Sequence, residues 1–467
     1  MDTTRRAVLF SLGACGVAWA TPPLLKAATA ISSLDGTWSG FMDSDDPPTR
    51  LRLKVGPNGH GSLAVISTVD EMDIPLARLE TADRRLRLQV NQPPLSYEAQ
   101  LDADGVLRGT LIRGGSHLPL NFVRGDLYSE PPFRVGTPET LTLKVLRRLR
   151  MAARAPAVGA GWQAAGYADH ILVDGYRSAA SKDAVLPTDA WHIGSVTKSV
   201  TATLSARLVE LGKIQWTSRV GELLDVVAGP IPDAYRDVSL LHLLSHRGGL
   251  PRDLPEDLLR RDPDMPPSRY VAQALKQAPV ARMGDETLYS NVDYVVAGLM
   301  LEVAAGNPWQ TLLEQHVLSS LGIHDAVFAG AGNDEGKRTL IGHSPGPTGI
   351  VPDKGDIPAC MAAAGRIRMS LGSLLVYLRA HRDMPMNFLS ARSWSVLHTP
   401  PFGGNYALGW DVSPDGVLSH GGTNQRWKCE VRVNPKSHVV SCSAANVLNR
   451  NTQLALLHLL DCADASR

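Results

Sequence analysis

A multidomain fold is predicted: an N-terminal antiparallel β-barrel, then an α/β domain whose antiparallel sheet is interrupted by a helical insert. Three observations predict it. From about Trp38 to Val123 apolar and polar residues alternate in short runs, with no helical period among them. The proline-rich stretch Glu130-Pro131-Pro132-Phe133 ends that pattern and reads as a linker. Beyond it, strand-like segments at 157–164 and 170–177 are matched by others at 427–433 and 438–445, on either side of a mostly helical middle, so the two ends meet in one sheet. A chain of 467 residues has room for two or three cores. The expected divisions are 1–30, 31–130 and 131–467.

The first segment reads as an export signal. Arg5 and Arg6 precede an apolar run, Ala7 to Ala20, and small residues follow at Ala18-Trp19-Ala20 and Ala28-Thr29-Ala30. The run is too short to span a bilayer as a helix. The arginine pair resembles a twin-arginine signal, and Leu12-Gly13-Ala14-Cys15 is a weaker match to a lipid-attachment box at Cys15. A periplasmic or secreted protein is expected. With 47 basic and 46 acidic residues and no block of like charge, nothing in the composition attracts nucleic acid or an anionic membrane.

In the second segment, Leu51, Leu53 and Val55 alternate with Arg52 and Lys54, and Leu86, Leu88 and Val90 alternate with Arg87 and Gln89. Leu118, Leu120 and Phe122 complete a set of about eight runs separated by turn clusters such as Asp102-Ala103-Asp104-Gly105. An antiparallel barrel or sandwich follows, closed and filled by its own side chains. Its opening, Asp35-Gly36-Thr37-Trp38, is similar to lipocalin-like barrels that start on a Gly-x-Trp turn.

The third segment opens with Thr137-Pro138-Glu139, a helix-start signature, and a helix with Leu141, Val145 and Leu149 on one side and basic residues on the other. Further on, Trp191-His192-Ile193-Gly194-Ser195-Val196-Thr197-Lys198 leads into a helix that stops at Gly212. The i, i+3 spacing puts Lys198 beside Ser195, and a helix start favours a serine alkoxide and a developing oxyanion. Leu288-Tyr289-Ser290-Asn291 precedes a second helix, at about 292–305. Tyr289, with its pKa pulled down by a nearby ammonium, is a candidate to take the serine proton. A third stretch, Ser419-His420-Gly421-Gly422-Thr423-Asn424, has paired glycines that let a strand edge approach a ligand and offer N–H groups to an acyl oxygen.

These three motifs, in this order, resemble the serine β-lactamase and penicillin-binding-protein superfamily over about residues 137–467, in particular class C β-lactamases, DD-peptidases and β-lactamase-like carboxylesterases. Leu243 to Pro251, Tyr406 to Trp410, Val433-Asn434-Pro435 and Asn446 support the likeness. The resemblance implies that Ser195 is acylated while Lys198 and Tyr289 share the proton transfers. It further implies that the N–H groups of Ser195 and Thr423 form the oxyanion hole and that Asn291 orients substrate or Lys198. Class C β-lactamases carry lysine where His420 stands, and histidine there resembles DD-peptidases and some esterases. The expected function is therefore hydrolysis of an ester or amide, of carboxylesterase or D-amino-acid peptidase type, on a small-molecule or peptide substrate and with no cofactor. A β-lactamase and an inert envelope binding protein are the alternatives.

Other signals carry less. Gly342-His343-Ser344-Pro345-Gly346 matches a nucleophile elbow, but its prolines and glycines predict a loop. His242 and His246 have metal-like spacing without a third ligand, so no metal is expected. Past residue 30 the cysteines are Cys360, Cys429, Cys442 and Cys462. A hairpin centred on Asn434 to Ser437 would set Cys429 opposite Cys442, as a disulfide or as two buried thiols.

Overall fold

The computed structural model describes residues 33–42, 49–57, 60–66, 71–128, 133–328, 340–346 and 349–466. The export segment, with Arg5, Arg6 and Cys15, and linker residues Glu130, Pro131 and Pro132 lie outside these ranges.

Alternation over the N-terminal part produces nine strands: β1 (Gly36–Met42), β2 (Thr49–Val55), β3 (Gly61–Ile66), β4 (Glu71–Ile74), β5 (Arg78–Ala82), β6 (Arg85–Val90), β7 (Leu95–Leu101), β8 (Val106–Arg113) and β9 (Ser116–Arg124). They form one antiparallel sheet in the order β4-β3-β2-β1-β9-β8-β7-β6-β5. The expected closed barrel is corrected to an open, curled half-barrel, because the ladder ends at β4 and β5, which share no pairing. The curl still brings the Leu79 side chain of β5 against Gly61 of β3. Trp38, Leu53, Leu86, Leu107 and Phe122, all fully buried, fill the concave side, so apolar packing holds the two ends near each other without ladder bonds.

The second sheet has six antiparallel strands. β10 (Ala157–Ala164) and β11 (His170–Gly175) pair with each other, and β10 continues onto Val439–Ala445, Lys428–Asn434, Leu418–Thr423 and Asp411–Val412 in turn. Both ends of the segment do meet in one sheet, as the pattern predicts. One face packs on the helices Leu143–Ala152 and Arg450–Ala465 through Val158, Ala160, Trp162, Leu456 and Leu459. The other packs on the helix Leu371–Asp383 and the helical insert through Cys429, Val431 and Leu375. Burial on both faces explains why β10 is apolar without alternation.

Three local expectations change. The first helix starts at Thr142, whose hydroxyl accepts from Val145 N, and not at Thr137. Gly342–Pro345 is a strand paired with Ile350–Asp353 and not a loop; Ser344 is buried there and bonds Asp353. The hairpin register sets Cys429 opposite Ala444 and Cys442 opposite Val431, so both cysteines are free buried thiols. The cause is the turn: Asn434 Oδ1 accepts from Lys436 N and Ser437 N, and His438 takes φ +55°. Four residues, and not two, therefore separate Asn434 from its partner Val439.

Candidate active site

The insert positions the site through two buried helices. Thr197–Glu210 runs through the core with Val200, Leu204 and Leu208 inaccessible, and Asn291–Ala305 packs beside it. Ser195 lies just before the first of these, on the 3-10 turn Gly194–Val196, and stays half-buried. Gly194 adopts φ +52°, and a side chain there would strike Thr423 N. A Cβ on Gly422 would collide with the Ile193 carbonyl and sit 2.9 Å from Ser195 N. The serine turn and the strand Leu418–Thr423 thus touch backbone to backbone, a contact that only glycine permits.

Lys198 is completely buried. Its Nζ donates to Ser195 Oγ at 3.1 Å, Asn291 Oδ1 at 2.6 Å and the Ala364 carbonyl at 2.8 Å. Burial is the largest influence on it and brings its pKa down to about 7, against an opposing pull from Asp253. Asn291 is oriented by its other end, where Nδ2 donates to Asp253 Oδ1 at 2.7 Å.

Tyr289 lies on the loop before the second helix, close enough to Ser195 for the serine to influence its titration, with the Lys198 ammonium 4.8 Å from its ring centre. Its expected downward shift is corrected: burial pushes it up to about 12, outweighing the opposing influence of Ser195 and Arg252. The amine, and not the phenol, is the group that loses its proton near neutral pH. Behind Tyr289 the His246 ring packs at 4.4 Å between centroids, and its Nδ1 accepts from Ser290 N. Burial holds His246 well below and its neighbour Asp293 well above their usual ranges.

His420 is buried, donating from Nδ1 to the Gly421 carbonyl at 2.9 Å and accepting at Nε2 from Tyr406 Oη at 3.2 Å. Burial takes its pKa down to about 3, so it carries no charge. Gly421, Gly422 and Thr423 continue the strand past the serine turn. The structure therefore gathers Ser195, Lys198, Tyr289, Asn291, His420 and the Gly421–Thr423 strand around one locus. Cys429 and Cys442 lie in the sheet core behind it.

Several participants escaped the motifs. Asp253 is brought in by a loop and the Ala364 carbonyl by the short helix Ala362–Gly365, and no spacing relates them to Ser195. His246 and Tyr406 fall inside the supporting stretches, where nothing marks them as a wall for Tyr289. His242 and His246, the metal-like pair, face Ser239 and Asp293 respectively.

Comparison with known proteins places this geometry. The Beta-lactamase family model matches residues 150–458. Penicillin-binding protein 4 of Amycolatopsis lactamdurans is 26% identical over 302 residues, covering 59% of this chain and 77% of that protein. A β-lactamase of Pseudomonas fluorescens is 26% identical over 250 residues, covering 50% of this chain and 63% of that protein. The octameric penicillin-binding protein homologue from Pyrococcus abyssi superposes with a TM-score of 0.60 at 20% identity, covering 68% of this chain and 77% of that one. With its helical insert, six-stranded sheet and matched sequence, the chain belongs to the Beta-lactamase family and is a serine hydrolase of the β-lactamase and penicillin-binding-protein superfamily.

Proposed function

We propose that the chain is an acyl hydrolase that cleaves an ester or a D-amino-acid amide through an acyl-enzyme on Ser195. The observation that carries this reading is the buried Lys198 amine, 3.1 Å from Ser195 Oγ with a pKa of about 7. As Oγ bonds the carbonyl carbon, its proton passes to neutral Lys198, and the N–H groups of Ser195 and Thr423 face the developing oxyanion. Tyr289, protonated up to about 12, donates to the leaving group and recovers a proton from the Lys198 ammonium. Water then attacks the acyl carbon by the reverse relay and the carboxylic acid leaves. Asn291 keeps the amine aimed at Ser195 because Asp253 fixes its amide.

A neutral His420 supplies no fixed charge for an antibiotic carboxylate, which favours esters and amides over β-lactams. The hydrolase segment spans 131–467. The half-barrel of 31–130 is an accessory unit of lipocalin-like type, on its Gly36-Thr37-Trp38 start, and Arg5-Arg6 with the apolar run supports export, to the periplasm or as a secreted protein. A panel of p-nitrophenyl esters, D-Ala-D-Ala peptides and a chromogenic cephalosporin tests the reading. Ester or peptide turnover that Ser195→Ala abolishes supports it. Preferred cephalosporin turnover turns it into a β-lactamase, and no turnover of any member favours an inert binding protein.

A further inference from the structure

Beneath the oxyanion donors lies a charged cluster that the proposed chemistry does not use. Asp356 is held in a loop by its own Oδ1, which accepts from Ile357 N at 2.8 Å. The same oxygen receives His192 Nε2 at 2.8 Å and Asn424 Nδ2 at 3.3 Å. His192 Nδ1 accepts from Gly194 N at 2.9 Å, which leaves the imidazole proton on Nε2, facing the carboxylate. Asn424 directly follows Thr423 and turns its Oδ1 to Arg426 N at 3.1 Å. Arg366 Nε and Arg368 Nη2 stand 3.9 and 3.8 Å from Asp356 Oδ2 and balance its charge. His192 is inaccessible and Asn424 and Arg368 nearly so.

One carboxylate oxygen thus reaches both halves of the hole: through His192 to the turn that presents Ser195 N, and through Asn424 to the strand end that presents Thr423 N. Resting on the acyl-hydrolase reading above, we infer that Asp356 is a positioning residue that fixes the separation of the two oxyanion donors. Where the two segments touch, Gly194 and Gly422 bring no side chain that could set that separation. A displacement of about 1 Å at such donors costs on the order of 10²-fold in rate.

The test uses the full chain with p-nitrophenyl acetate as substrate and phenylboronic acid as a probe that becomes tetrahedral on Ser195. Asp356→Ala should lower kcat and kcat/KM together by about 10²-fold and leave KM within about twofold. Boronate affinity should fall in parallel, while the acid limb of the pH profile stays in place. Asp356→Asn, which still accepts the His192 proton, should recover most of the activity, and Asn424→Ala should lose about tenfold with an unchanged melting temperature. Should Asp356→Ala fail to fold, Asn424→Ala decides. Full boronate affinity in folded Asn424→Ala, or a rise in KM alone, overturns the inference. An active Ser195→Ala, by contrast, overturns the acyl-enzyme reading itself.

Discussion

Lys198 is the residue whose environment does most to define the chemistry. A buried ammonium is costly, and this one is compensated by Asn291, the Ala364 carbonyl and the nearby Asp253 carboxylate, so its pKa settles at about 7. In the proposed mechanism the reacting form is the neutral amine. Activity therefore rises as pH increases through about 7 and stays high into the alkaline range, because Tyr289 keeps its proton to about 12. A kcat/KM profile between pH 5 and 10 checks this, and a rate that falls with rising pH over that range contradicts it. Asp253→Asn keeps an acceptor for Asn291 but removes a negative charge that stabilises the ammonium. The acid limb should then move down by about 0.5–1 pH unit, read in the same profile. Lys198→Met should lower kcat/KM by about 10³-fold or more with little change in fold.

The elements show how much of this was legible in the sequence. The SxxK helix start, the Tyr289 loop and the His420 strand were readable because each carries its chemistry within a few consecutive residues, and all three converge. The half-barrel strands were readable from period two, but the missing closure was not, since pairing at the sheet ends depends on curl and not on alternation. The cysteine hairpin failed by two residues in register because Asn434 builds a longer turn through its side chain. Tyr289 failed in sign because burial, which a sequence does not display, outweighs its charged neighbours. Asp253 and Asp356 arrive from loops far along the chain, so no spacing announces them. With Cys429 and Cys442 reduced and offset, a melting curve should be the same with and without dithiothreitol, whereas a drop on reduction would mean a disulfide. Gly422→Ala places a methyl group against the Ile193 carbonyl and should cost about 1–3 kcal/mol of stability together with most activity, read by denaturant unfolding and ester turnover.

Across the whole molecule the apolar interior divides. The half-barrel core around Trp38, Tyr97 and Phe122 is separate from the two clusters that clothe the six-stranded sheet. The units nonetheless meet: Arg50 of β2 donates to the Gly346 carbonyl at 3.1 Å and also to that of Gly349, at the tip of the hairpin whose continuation holds Asp356. Separate cores joined by a few polar contacts should melt separately. Trp38→Ala, which empties the fully buried centre of the half-barrel, should remove about 3–5 kcal/mol from one calorimetric transition and leave the other where it was. A single transition that shifts as a whole would instead show one cooperative unit.

The central claim concerns one hydroxyl, and it can be read directly by mass. After incubation with a fluorophosphonate probe at pH 8, peptide mass spectrometry should find a single adduct on the peptide containing Ser195, and none after Ser195→Ala. An adduct on Ser344 or any other residue, or labelling that survives the substitution, would contradict the account.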